Sequence, residues 1–168
     1  VTQALFATES LRQDEAIVEG YAAIFGEPDL TGDIIRPGAF QKNATGAQKL
    51  IPGASPRVMM LYQHAADKPI GRWHHIKEDE RGLFVRGSLF THIELGRDVY
   101  SLVQGRALDG LSIGFKVDQA HRTRNGKREL HRVTLWEISI VTFPMAPSAR
   151  ITRHHPPGHH QPRNLLEA

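Results

Sequence analysis

Two stretches, Gly110-Leu-Ser-Ile-Gly-Phe-Lys-Val117 and Arg132-Val-Thr-Leu-Trp-Glu-Ile-Ser-Ile-Val141, decide the fold. Both are rich in β-branched and aromatic residues, as strands are. Between them lies Asn125-Gly126. That dipeptide predicts a two-residue type I′ hairpin turn, because both central positions need φ > 0. With it at the tip, Arg124 faces Lys127, and stepping outward one residue on each side puts Ser112 opposite Ser139. Glu137 then shares a sheet face with Ser112 as its diagonal neighbour, roughly 7–8 Å away. An imidazole with a hydrogen bond of about 2.7–3.0 Å at each end spans such a gap. The hairpin therefore offers a nucleophile and an orienting carboxylate with a histidine-sized space between them. A register slip of one residue would put them on opposite faces.

The 168 residues fit one domain with a real core, and 40% hydrophobic and 23% charged residues are ordinary for a globular protein. No apolar run is long enough to span a bilayer, and the start shows no signal-peptide pattern. The absence of cysteine excludes disulfides, thiolate metal sites and a cysteine nucleophile, and fits a reducing compartment. Val at position 1, where Met would be usual, is expected of a fragment or a processed product. The net charge of +3 is concentrated in the turn from His121 to Arg128 and in the C-terminal tail. No aromatic residue interleaves with these charges, so the turn reads as a solvated tip and not as a specific nucleic-acid platform.

Along the chain, residues 2–8 and 15–25 read as strands around a turn at Gln13-Asp14. Residues 26–32 are dense in turn formers and form a loop, followed by a short strand from Asp33. Pro37-Gly-Ala-Phe40 is expected to open a short helical stretch, and 43–56 is a loop. Arg57 to His64 reads as a buried strand ending on the histidine. Asp67-Lys-Pro69 reads as a turn, and Ile70–Glu78 and Leu83–Phe90 as a hairpin around Glu80-Arg-Gly82. Thr91-His-Ile-Glu94 has the capping-box pattern and is expected to start a helix to about Arg106, with Leu95, Val99, Leu102 and Val103 as its apolar stripe. Residues 1–151 form the domain, and the His- and Pro-rich residues 152–168 are expected to be a disordered basic tail. Many short strands with one good helix give a β-rich α+β fold, a closed β-barrel with helical additions.

Three residues carry the chemistry. Ser112 lies between Gly110 and Gly114 on an apolar strand, where small neighbours leave a hydroxyl uncovered. Gly-Leu-Ser-Ile-Gly matches the nucleophile elbow of α/β-hydrolases, but Ile113, Phe115 and Val117 continue a strand where an elbow needs a helix. His64 is a candidate base and Glu137 a candidate orienter. A serine hydroxyl needs an adjacent base, and the base needs a partner that holds its tautomer. The pairs His74-His75, His154-His155 and His159-His160 lack a neighbouring carboxylate or thiolate, so no native metal site and no cofactor is expected.

Taken in order, the motifs Glu19-Gly-Tyr-Ala-Ala-Ile-Phe25, Gly32-Asp-Ile-Ile-Arg-Pro-Gly-Ala-Phe40, Leu61-Tyr-Gln-His64, Lys68-Pro-Ile-Gly-Arg72, Gly110-Leu-Ser-Ile-Gly-Phe115, Leu135-Trp-Glu-Ile-Ser-Ile-Val-Thr-Phe-Pro144 and Ala149-Arg-Ile151 resemble the caudovirus prohead serine proteases, the maturation proteases of tailed phages. The resemblance covers roughly residues 15–151 and implies a β-barrel surrounded by helices, like that of herpesvirus assembly proteases. It implies His64 as general base and Ser112 as nucleophile. The acidic third member is carried over onto Glu137. Herpesvirus relatives use a second histidine there, but the rival His131 faces Ala120 by the hairpin pairing, away from Ser112. An oxyanion donor is expected, with the Gly114 backbone N–H as a candidate.

The implied substrate is the scaffold, or the scaffold-like segment of the major capsid protein, together with the enzyme itself. The implied place is the immature capsid in the cytoplasm of a bacterial host, whether phage, prophage or gene transfer agent encodes the chain. A homodimer is expected by analogy, with no membrane partner. The alternatives are a non-catalytic capsid-assembly barrel, or an esterase-like hydrolase built on the glycine-flanked serine.

Overall fold

The computed structural model describes residues 15–41 and 58–158. In order these are β1 (Glu15–Ile24), β2 (Asp33–Ile35), β3 (Met59–Tyr62), β4 (Ala65–Glu78), β5 (Gly82–Phe90), α1 (Glu94–Gln104), β6 (Gly110–Arg122), β7 (Arg128–Val141) and β8 (Ile151–His155). The strands of one sheet run in the order β2-β7-β3-β4-β5-β1-β8, with β6 paired to β7. Because β6 covers one edge of β7 along its length, β2 and β3 share the other edge, both parallel to it.

The sheet curls around side chains that alternate into it, among them Val18, Met60, Ile70, Val85, Leu89, Leu111, Leu135, Ile138 and Ile140, all fully buried. Burial of each such side chain stabilises the fold by about 1.5–3 kcal/mol. The result is a curled, β-rich half-barrel. The expected closed barrel is not a continuous ladder: among the described residues the seam beside β6 has one isolated bridge, from Gly110 to Arg150, the residue before β8.

Several local expectations are corrected. Residues 37–41 form turns and no helix, since Gly38 takes φ 88° and the Glu78 carboxylate accepts the Gly38 and Phe40 N–H groups. Strand β4 runs straight through Asp67-Lys-Pro69, with Pro69 at an irregular register point opposite Leu61. Helix α1 starts at Glu94, with Ile93 in the N-cap position, and ends at Gln104, two residues before the expected Arg106. Its buried stripe is Gly96, Val99, Tyr100 and Val103, whereas Leu102 is exposed. At the other end, β8 pairs antiparallel with β1 as far as His155, so the ordered sheet runs past the boundary placed at 151. Expectations for residues 2–8, 13–14, 43–56 and 159–168 lie outside the described residues.

The central hairpin forms, with a different tip. Its last pair is Arg122 with Arg128, and the Thr123 N–H donates to Lys127 O and the Gly126 N–H to Thr123 O. Arg124, Asn125 and Gly126 therefore make a three-residue loop, with only Gly126 at positive φ, 82°. The Thr123 hydroxyl donates to the Asn125 side chain, tying that residue into the turn. Arg124 does not face Lys127. This loop shifts the register by one residue, and an extra residue on β7 at Trp136, between the pairs Phe115–Leu135 and Gly114–Glu137, shifts it back. Two further shifts, with His131 extra on β7 and Asp118 extra on β6, offset each other, so Ser112 faces Ser139.

Candidate active site

The bulge at Trp136 turns that indole outward, half exposed, and leaves Glu137 buried on the face shared with Ser139 and Ser112. Gly114 sits directly opposite Glu137. A Cβ on Gly114 would stand 2.3 Å from Glu137 Oε1 and 2.7 Å from its Cγ, so the carboxylate occupies the space a side chain would need. The glycine leaves room against β6 for the carboxylate that bonds His64.

His64 is not on a strand. Tyr62 pairs with Ala65, and the two residues between them, Gln63 and His64, have φ of 55° and 58°. Two positive φ values in a two-residue loop are what a type I′ turn requires, ordinarily met by Asn and Gly. Here neither is present, and each residue in the left-handed region costs of order 1 kcal/mol. The turn is fastened to the end of β7. The Gln63 N–H donates to Ile140 O at 3.0 Å, and the Gln63 amide both donates to Thr142 Oγ1 (2.6 Å) and accepts the Thr142 N–H (3.2 Å). The His64 N–H donates to Ser139 Oγ at 3.1 Å.

This turn places His64 Nδ1 at 2.6 Å from Glu137 Oε1. A carboxylate oxygen accepts, so with Nδ1 as the donor in this bond, Nε2 is the ring nitrogen left for other partners. The His64 side chain is 44% exposed and Glu137 is almost covered, so a buried carboxylate holds a solvent-accessible imidazole. Glu137 Oε2 in turn accepts the Ser139 hydroxyl at 2.7 Å.

Ser112, opposite Ser139, shares that sheet face and lies diagonal to Glu137. Its hydroxyl is less open than expected, since the residue is 4% exposed. It borders a cavity of about 50 Å³ walled by Ala22, Ala23, Leu111, Ile113 and Met145, with Glu27, Asp29 and Asp33 also among its lining residues. Asp33 is already paired with Arg128. The rival His131 lies near the hairpin tip against His121 and Glu129, away from this cluster.

The structure thus joins His64 to Glu137 and brings Ser112 to the same face. Sequence reasoning missed Gln63, Ser139 and Thr142 as supports. Facing residues named Ser139 as the partner of Ser112, but the bond to the His64 backbone depends on a turn with no sequence signature. Among the described residues no three or more His, Cys, Asp or Glu side chains are grouped to hold a metal ion, and no helix is long and apolar enough to cross a membrane.

Comparison with known proteins bears on family and fold. The sequence profile of the caudovirus prohead serine proteases matches residues 5–161. The prohead protease of Enterobacteria phage HK97 is 37% identical over 140 residues, which cover 82% of this chain and 59% of that protein, so the chain spans less than two thirds of its relative. Among solved structures, KSHV protease bound to a hexapeptide phosphonate inhibitor aligns with a TM-score of 0.55 at 14% identity, over 87% of this chain and 66% of that one. Varicella-zoster virus protease aligns at 0.51 and 15% identity, over 84% and 64%. These two show a shared fold. By the extent of the profile match and the identity to the phage enzyme, the chain belongs to the caudovirus prohead serine protease family.

Proposed function

We propose that the protein is a serine endopeptidase of capsid maturation, with Ser112 as nucleophile, His64 as general base and Glu137 as the acid that orients it. The observation that carries this reading is the 2.6 Å bond between His64 Nδ1 and the buried Glu137 carboxylate, on the sheet face that also presents Ser112. His64 Nε2 takes the Ser112 proton as Oγ attacks the peptide carbonyl. The imidazolium, stabilised by Glu137, then protonates the leaving amine. Water, activated by the same base, attacks the acyl-enzyme and releases the new carboxyl end. The Gly114 N–H belongs to this proposal as the donor to the oxyanion.

Family membership supports the substrate: the scaffold, or the scaffold-like segment of the major capsid protein, inside the immature shell, with self-cleavage. A homodimer, and closure of the β6–β8 seam into a barrel beyond the Gly110–Arg150 bridge, are parts of the same reading.

The test is fluorophosphonate labelling followed by intact-mass spectrometry, with and without the capsid-scaffold polypeptide. A single adduct on Ser112, absent from Ser112→Ala and His64→Ala, is the expected outcome. Silence in both conditions overturns the protease in favour of a non-catalytic barrel. Labelling with ester turnover but no cleavage of the polypeptide replaces the peptidase with an esterase.

A further inference from the structure

Ser139 is fully buried on β7, two residues beyond Glu137 and opposite Ser112. Its hydroxyl has one proton and two acceptor positions. The proton goes to Glu137 Oε2 at 2.7 Å, and the oxygen accepts the His64 backbone N–H at 3.1 Å. Glu137 uses its other oxygen, Oε1, for His64 Nδ1 at 2.6 Å. The result is a closed circuit: hydroxyl to carboxylate, carboxylate to imidazole, and the backbone of that same histidine back to the hydroxyl.

We propose that Ser139 is a positioning residue for the catalytic base. This rests on the reading of Ser112, His64 and Glu137 given above. One hydroxyl fixes the carboxylate's orientation and anchors the backbone from which the imidazole projects, so ring and acid share one reference point. The second function matters because His64 sits at φ 58°, a conformation its side chain does not favour. Without the hydroxyl, the buried Glu137 Oε2 loses its donor and the His64 N–H loses its acceptor. The carboxylate is then free to rotate and the turn to relax.

The experiment uses the full chain with Ser139→Ala, Ser139→Thr and Ser139→Val, and follows the rate of Ser112 acylation by a fluorophosphonate across pH together with thermal unfolding. Threonine keeps the hydroxyl; valine has nearly its shape without it. Ser139→Ala and Ser139→Val are expected to acylate between about tenfold and a hundredfold more slowly, as a small misplacement of a catalytic group does. Their pH midpoint moves, and Ser139→Thr recovers most of the rate. If Ser139→Ala fails to fold, the Thr–Val comparison decides alone. Equal rates and midpoints in Thr and Val overturn the proposal, as does a rate loss that follows thermal stability with an unmoved midpoint. A native chain that never labels overturns the underlying protease reading instead.

Discussion

Gly114 shows how much of this site depends on an atom that is not there. Its φ is not in the left-handed region, so its value is spatial: the Glu137 carboxylate fills the place of a Cβ, at 2.3 Å. Methyl and carboxylate cannot both occupy that space. Gly114→Ala should therefore push Glu137 away from His64, costing about 1–3 kcal/mol in stability as overpacking does. Acylation of Ser112 should drop by at least about a hundredfold, through a misplaced orienting group. Thermal unfolding and the labelling rate check the two halves. Native labelling in Gly114→Ala would mean that the carboxylate can reach His64 by another path. From the sequence, Gly114 was legible as a close-approach residue, but what approaches it was not. A five-residue motif contains no sign of a side chain folding across from the other strand.

At the scale of elements, the hairpin carries Ser112 and Glu137, and its register reaches them through the tip loop and three shifts along the strands. The Asn125-Gly126 signal correctly announces a hairpin, and its glycine does take positive φ, at 82°. Asn125 does not, because Thr123 and Lys127 close a longer loop around it. The bulge at Trp136 then restores the pairing of Ser112 with Ser139. Strand identity and facing residues were legible because β-branched periodicity is strong here. Bulges were not, since an extra residue leaves no mark on alternation until the partner strand is in place. Gly126 has open space around its missing Cβ, so only backbone conformation is at stake. Gly126→Ala should cost about 1 kcal/mol in stability, read by denaturant unfolding, and leave the Ser112 labelling rate unchanged. A change in that rate would show that the tip couples to the site. The Gln63–His64 turn is the opposite case: its sequence contains none of the residues that announce such turns, so the strand seemed to run on to His64.

For the whole molecule, acid stability depends on groups far from the site. His74 sits at a register irregularity of β4, with Nε2 2.6 Å from the buried Ser88 hydroxyl. Burial pushes its pKa below 6.5, the nearby Arg72 and Arg86 push the same way, and Glu15 opposes them. A depressed folded value means the unfolded chain takes up the proton first. This contribution to stability is therefore complete above pH 6.5 and is lost as the pH falls through the folded value. Unfolding followed between neutral and mildly acidic pH should show a declining midpoint, and His74→Gln should flatten that decline. An identical acid slope in the variant would assign the loss to other groups. The β-rich class and the core strands were legible at this scale, because apolar periodicity survives without tertiary information. The open seam between β6 and β8 was not: closure depends on how far a sheet curls, and strand pattern alone does not encode that.

The Gln63–His64 turn also sets a schedule. Its fasteners come from Ser139, Ile140 and Thr142, the first of them 75 residues after His64. On the ribosome, the histidine emerges long before anything exists to hold it in its unfavourable backbone state. A chain that stops short of Ser139 contains His64 and Ser112 but none of the clasp, so this turn is expected to take its shape only after β7 is in place.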